Sequence, residues 1–123
     1  MGRILDDDKN LVKASPSDHI KWWTEKVHGP GIDFKSKDNP ARVGWDLVHG
    51  VEVSTVFGIA PMPGPDFNSF YYFESMVFGL DDELSGEPQY RYQTWDDAVK
   101  GHATLVGLVQ ELMARPKELP PHA

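Results

Sequence analysis

The chain has 123 residues, 40% of them hydrophobic and 25% charged, with no cysteine and a formal net charge of −7. That size and composition fit one soluble globular domain around a single core. The missing cysteines exclude disulfides, thiolate metal sites and a cysteine nucleophile, and the negative charge argues against direct binding of nucleic acid or of an anionic membrane.

No stretch of the sequence has the run of about 18 apolar residues that a membrane-spanning helix needs. The opening MGRILDDDKN is polar and acidic, which argues against a secretory leader. A Met-Gly start suits myristoylation, but Asp6 stands where a hydroxyl residue is required. A cytoplasmic location is the expectation.

Two short apolar pieces flank Asp6–Asn10, a pattern for a small hairpin or an extended arm. Ser15 then reads as an N-cap, with Pro16 as the first helical residue and Asp18 at the third position. In that helix Ile20, Trp23 and Val27 recur at helical spacing, with Trp22 at the edge of their face. His28-Gly29-Pro30 ends it. Residues 31–40 mix charges of both signs without periodicity and read as the most mobile segment.

Arg42–Val48 is expected to be a strand, and His49-Gly50 a tight turn. Val51–Phe57 alternates strictly: Val51, Val53, Thr55 and Phe57 share one face, Glu52, Ser54 and Val56 the other. Ala60–Asn68 holds three prolines and a glycine and reads as a loop. Phe70–Phe78 is apolar on both faces and reads as a central strand, followed by an acidic turn over Leu80–Pro88 and a short strand over Gln89–Gln93. Thr94 caps a last helix whose stripe is Ala98, His102, Leu105, Val109 and Leu112. The fold class that follows is α+β: an antiparallel meander of three to four strands with an N-terminal and a C-terminal helix packed on it. One domain is expected over residues 1–115, with a short flexible tail over residues 116–123.

Two residues stand out chemically. Glu74 sits among aromatics in YYFESMVF, where a carboxylate is costly unless paired. It reads as an acid or base with a raised pKa or, more economically, as an outward residue paired with Arg91. His102 lies on the apolar stripe of the last helix. It reads as a catalytic histidine, with Glu74 and Tyr90 or Tyr92 beside it, or more economically as a core-edge histidine bonded to a backbone carbonyl. No pattern suited to a metal occurs: His49 and Glu52 fall on a turn and a strand, and there is no HExxH. No phosphate-binding loop or nucleophile elbow occurs either, so no cofactor is implied. Met62 and Phe67, in the loop, and Trp22 are the candidate binding residues.

The stretches VSTVFG (Val53–Gly58), FESMVFG (Phe73–Gly79) and YRYQTWDDAVKGH (Tyr90–His102) resemble, in that order, those of a family of small proteins encoded by tailed bacteriophages and prophages. The family's members carry similar VSTVF, FETMVFG and RYxTWxEAxxGH segments. The resemblance implies a phage or prophage origin, a single α+β domain and a host cytoplasm, and brings no activity with it. Where members often have an Asp-His pair after VSTVF, this chain has Ile59-Ala60-Pro61-Met62, and residues 34–41 and 61–69 have no counterpart.

Three readings of function follow. The first, preferred, is a non-catalytic phage accessory protein that binds a host or phage macromolecule, with a protein as the expected partner. The second is a small enzyme built on Glu74 and His102. The third is an acidic mimic of nucleic acid, made from Asp6–Asp8, Asp81–Glu83, Glu87 and Asp96-Asp97, that blocks a DNA-binding protein or a nuclease. A sheet face left uncovered by the helices calls for a homodimer.

Overall fold

The computed structural model of the chain describes residues 3–66, 69–79 and 90–114. The elements are β1 (Arg3–Leu5), β2 (Leu11–Lys13), α1 (Pro16–Lys21) with a π-helical continuation (Trp22–Val27), β3 (Arg42–Val48), β4 (Val51–Pro63), β5 (Phe70–Phe78), β6 (Tyr90–Tyr92) and α2 (Trp95–Ala114). β1 and β2 form a hairpin, and β3 to β6 form a four-stranded antiparallel meander in chain order. The fold is the α+β class expected, and among the described residues no helix is long and apolar enough to cross a membrane.

Local signals set most of the element boundaries. Ser15 Oγ accepts the Asp18 amide at 3.1 Å and Pro16 opens α1. Thr94 Oγ1 accepts the Asp97 amide at 3.1 Å and starts α2. His49 and Gly50 take φ of 51° and 83°, the left-handed pair that a two-residue hairpin turn requires. Asp6 Oδ1 accepts the amides of Asp8 and Asn10 and closes the first hairpin.

The first helix departs from its 3.6-residue reading. From Trp22 to Val27 it widens to π geometry, with the His28 amide bonded to the Trp23 carbonyl five residues back. The i, i+5 repeat stacks Trp22 over Val27 and turns Trp23 inward beside them. All three are buried, whereas Ile20, expected on the apolar face, is 61% exposed. Trp22 is thus a core residue, with its ring edge-on to Trp23 and Phe57, and not a contact residue for a partner. Trp23 lies between the His28 and Phe57 rings. Its buried indole N–H finds no acceptor among the described residues.

Two loop readings are also corrected. β4 continues through Pro61–Pro63, in the stretch read as a loop. The ladder with β5 shifts register between Phe57 and Met62, and the pairing with β3 starts only at Val56, so Pro61 displaces no ladder donor. Residues 31–40 form consecutive turns and are anchored. Asn39 Nδ2 donates to the Val27 carbonyl at 2.9 Å, and Asn39 Oδ1 accepts the Ala41 amide at 3.0 Å. Arg42, itself buried, donates to the Phe34 carbonyl, the Gly44 carbonyl and Ser54 Oγ. Burial pushes its guanidinium below the usual arginine value, opposed by the nearby charges of Glu52 and Asp33.

The core is divided. One cluster joins Leu5, Trp22, Trp23, Val27, Ala41, Phe57, Phe73 and Ala98, and the other Val51, Val53, Val77, Leu105 and Val109. Both lie on one face of the sheet, because Val51, Val53 and Phe57 share their parity on β4 and pair with the buried parity of β5. α1 and α2 therefore cover the same face. A fully buried phenylalanine such as Phe57 or Phe73 contributes about 1.5–3 kcal/mol. Among the described residues the opposite face meets only the Phe34–Lys35 corner of the loop.

Candidate functional site

Between the two apolar clusters runs a layer of polar side chains. On β4 it is Thr55, flanked by Val53 and Phe57. On β5 it is Ser75, flanked by Phe73 and Val77. On α2 it is His102, flanked along the buried stripe by Ala98 and Leu105. His102 Nδ1 lies 2.7 Å from Thr55 Oγ1, and Thr55 Oγ1 lies 2.5 Å from Ser75 Oγ. The Tyr92 hydroxyl donates to Ser75 Oγ at 3.1 Å. On its other side His102 Nε2 meets Asp46 Oδ2 at 2.7 Å. Asp46, Thr55, Ser75 and Tyr92 come from β3, β4, β5 and β6, so the chain of bonds crosses the whole sheet one strand at a time.

Two glycines make room for this layer. A Cβ on Gly44 would stand 2.7 Å from the His102 ring, and one on Gly101 would overlap the Tyr92 ring. The Tyr92 phenol is half-buried, and burial pushes its pKa up, against a lowering by its bond to Ser75.

Asp46, His102 and Thr55 have the connectivity of an acid–base–nucleophile triad. Such a triad works only where its hydroxyl meets a substrate. Thr55 and Ser75 are 0% exposed, and Asp46 is the end of the chain of bonds that meets solvent, with its side chain 53% exposed. Two clefts in the described surface lie elsewhere. One, of about 390 Å³, lies between the β1–β2 turn and the start of α2, lined by Lys9, Thr94 and Trp95 among others. Another, of about 340 Å³, lies in the loop around Ile32 and Asn39.

The structure separates the residues that stand out in the sequence. Glu74 is in register with Val56 and Arg91 on the uncovered face, while its neighbour Ser75 faces α2. Glu74 and His102 therefore lie on opposite sides of the sheet, and the acid–base pair does not form. Glu74 and Arg91 stand opposite each other, as expected of cross-strand neighbours, but no ion pair joins them among the described residues. His102 bonds two side chains, not the backbone carbonyl expected. Tyr92 joins the polar layer, and Tyr90 packs on the second cluster. Met62 is half-buried in the extended β4, opposite Tyr71, and Phe67 lies outside the described residues. Among the described residues no group of three or more metal-ligating side chains occurs.

Asp46 lies in none of the stretches singled out in the sequence, and Thr55 and Ser75 lie in VSTVFG and FESMVFG without matching any catalytic motif. A partial signal exists for Thr55: it shares the parity of Val51, Val53 and Phe57, and a hydroxyl on a dry face needs a partner. His102 on the stripe of α2 is a polar group under the same demand.

The uncovered face carries Trp45 and Leu47 from β3, Glu52, Ser54 and Val56 from β4, Phe70, Glu74, Met76 and Phe78 from β5, and Arg91 from β6, by the register of the ladders. Leu47 is 61% exposed, and Phe70 and Phe78 are also exposed. Trp45 Nε1 donates to Glu52 Oε2 at 2.6 Å, and Lys35 reaches both Glu52 and the Trp45 ring. No protein-family model, curated protein or solved structure matches the chain.

Proposed function

We propose that this protein acts by binding another protein, without catalysis, through the uncovered face of the four-stranded sheet. One contrast carries the reading. The hydroxyls of Thr55 and Ser75 and the His102 ring are buried between sheet and α2, while Leu47, Phe78 and their apolar neighbours stand on a face that no described helix covers. Exposed apolar side chains on a sheet face without a covering helix are what partner-binding faces are made of.

The phage resemblance supports the accessory part of the reading. VSTVFG, FESMVFG and YRYQTWDDAVKGH supply Thr55, Ser75, Tyr92, Gly101 and His102, the residues that join the sheet to α2. They account for a scaffold, and leave the partner to the uncovered face. A phage or host protein in the bacterial cytoplasm is the partner on this reading.

A photo-crosslinking amino acid at Leu47 tests it, with one at Ile20 as control, since both positions are 61% exposed and lie on opposite sides of the molecule. In bacterial cells Leu47 is expected to give a discrete protein adduct that high salt leaves in place, and Ile20 none. Equal labelling from both positions, or none from Leu47, refutes the proposal.

A further inference from the structure

The polar layer has a property that its members lack separately, which is direction. The Tyr92 hydroxyl donates to Ser75 Oγ, so the Ser75 hydrogen has to go elsewhere. Ser75 is fully buried, and its other polar neighbour is Thr55 Oγ1. Thr55, also fully buried, then turns its hydrogen to His102 Nδ1. At the far end Asp46 Oδ2 belongs to a carboxylate, which offers lone pairs, so His102 Nε2 carries the ring proton and donates it. Each of the four links holds one hydrogen and one lone pair. Reversing the Thr55–Ser75 link would leave the Ser75 hydrogen buried with no acceptor.

We infer that Tyr92, Ser75, Thr55, His102 and Asp46 form a one-way hydrogen-bond chain that holds His102 as its Nε2–H tautomer and clasps α2 to all four strands in a single rotational setting. Both ring nitrogens are then occupied, one giving and one accepting. The two glycines belong to the same device: Gly44 lets the imidazole lie against β3, and Gly101 lets the Tyr92 ring lie against α2. An apolar core sliding along an apolar helix face has no such stop, because dispersion contacts are non-directional, whereas a hydrogen-bond chain is satisfied in one register only.

The test is nitrogen NMR of the full chain, labelled with ¹⁵N-histidine, at about pH 8, where exposed histidines are neutral. His102 is expected to show a pyrrole-type Nε2 and a pyridine-type Nδ1 shifted by an accepted hydrogen bond. A protonated Nδ1 overturns the inference. Thr55→Val keeps the shape and removes the donor. It is expected to move the Nδ1 resonance to that of an unbonded nitrogen, leave Nε2 unchanged, and speed amide exchange over the His102 turn of α2 about tenfold, the scale of one lost hydrogen bond. An unchanged Nδ1 resonance in this variant also overturns the inference. Ser75→Ala covers the case of a Thr55→Val chain that fails to fold. Here Thr55 keeps its acceptor, so both His102 resonances are expected to stay as in the natural chain. Loss of the Nδ1 bond would mean that the hydrogen bonds do not run in this direction.

Discussion

Two glycines of α2 should answer the same substitution with opposite signs. Alanine in place of a helical glycine stabilises a helix by about 0.5–1 kcal/mol, because the unfolded chain has less freedom to lose. Gly107 faces open space, with no atom beyond its own turn of helix within 4 Å of the position a Cβ would take, and Gly107→Ala should show that gain. At Gly101 the new methyl overlaps the Tyr92 ring. Overpacking of that kind costs about 1–3 kcal/mol. Pushing the phenol away from Ser75 costs about another 1 kcal/mol, the net worth of a typical hydrogen bond. Gly101→Ala should therefore lose about 1–3 kcal/mol after its helical gain is subtracted. For a domain of this size that corresponds to a fall in Tm of about 4 °C per kcal/mol. Urea titration followed by far-ultraviolet circular dichroism measures both variants. In a Tyr92→Ala background the obstacle is gone, and Gly101→Ala should become as favourable as Gly107→Ala. A Gly101→Ala chain as stable as the natural one, or no rescue in the Tyr92→Ala background, would show that the close approach of Tyr92 to α2 is wrongly read.

The π-helical turn makes a second pair of predictions. Ile20→Lys should stay within about 0.5 kcal/mol of the natural chain, and Trp22→Ala should lose about 3–5 kcal/mol, both read by urea titration; the reverse order would mean that the helix keeps its 3.6-residue face. A third concerns alkaline pH. Burial raises the Tyr92 pKa in the folded state. The unfolded chain therefore gives up that proton first, and the contribution is complete below the unfolded value of about 10 and lost as pH rises through the folded one. The urea midpoint should fall over that window, and it should fall less in Tyr92→Phe.

Much of the architecture was legible in the sequence because it rests on local rules. Ser15-Pro16 and Thr94 cap their helices through side chains three residues from their partners. His49-Gly50 specifies a turn through backbone φ, and the alternation in Val51–Phe57 gives a strand its dry face. Each of these signals acts within a few residues, so each can be read without knowing what lies across the molecule.

Tertiary structure decided the rest. Ile20 and Trp22 exchange places because packing against Phe57 favours two tryptophans inward, and the helix widens to present them. Pro61 and Pro63 can lie in a strand because β3 begins opposite Val56 and runs away from them, leaving that stretch of β4 paired with β5 alone. The hydrogen bonds from Asp46 to Tyr92 join residues 56 and 47 positions apart at the two His102 links, and no periodicity carries that distance. Glu74 draws attention by its aromatic neighbours, yet a strand reverses its side chains at every residue, so its fate and that of Ser75 are opposite. What the sequence determined by itself was which residues needed a dry face or a cap. Which polar groups met inside that face, and which side of the sheet no described helix covers, depended on where the two helices came to rest, because burial is a property of the assembled layers and not of any one strand.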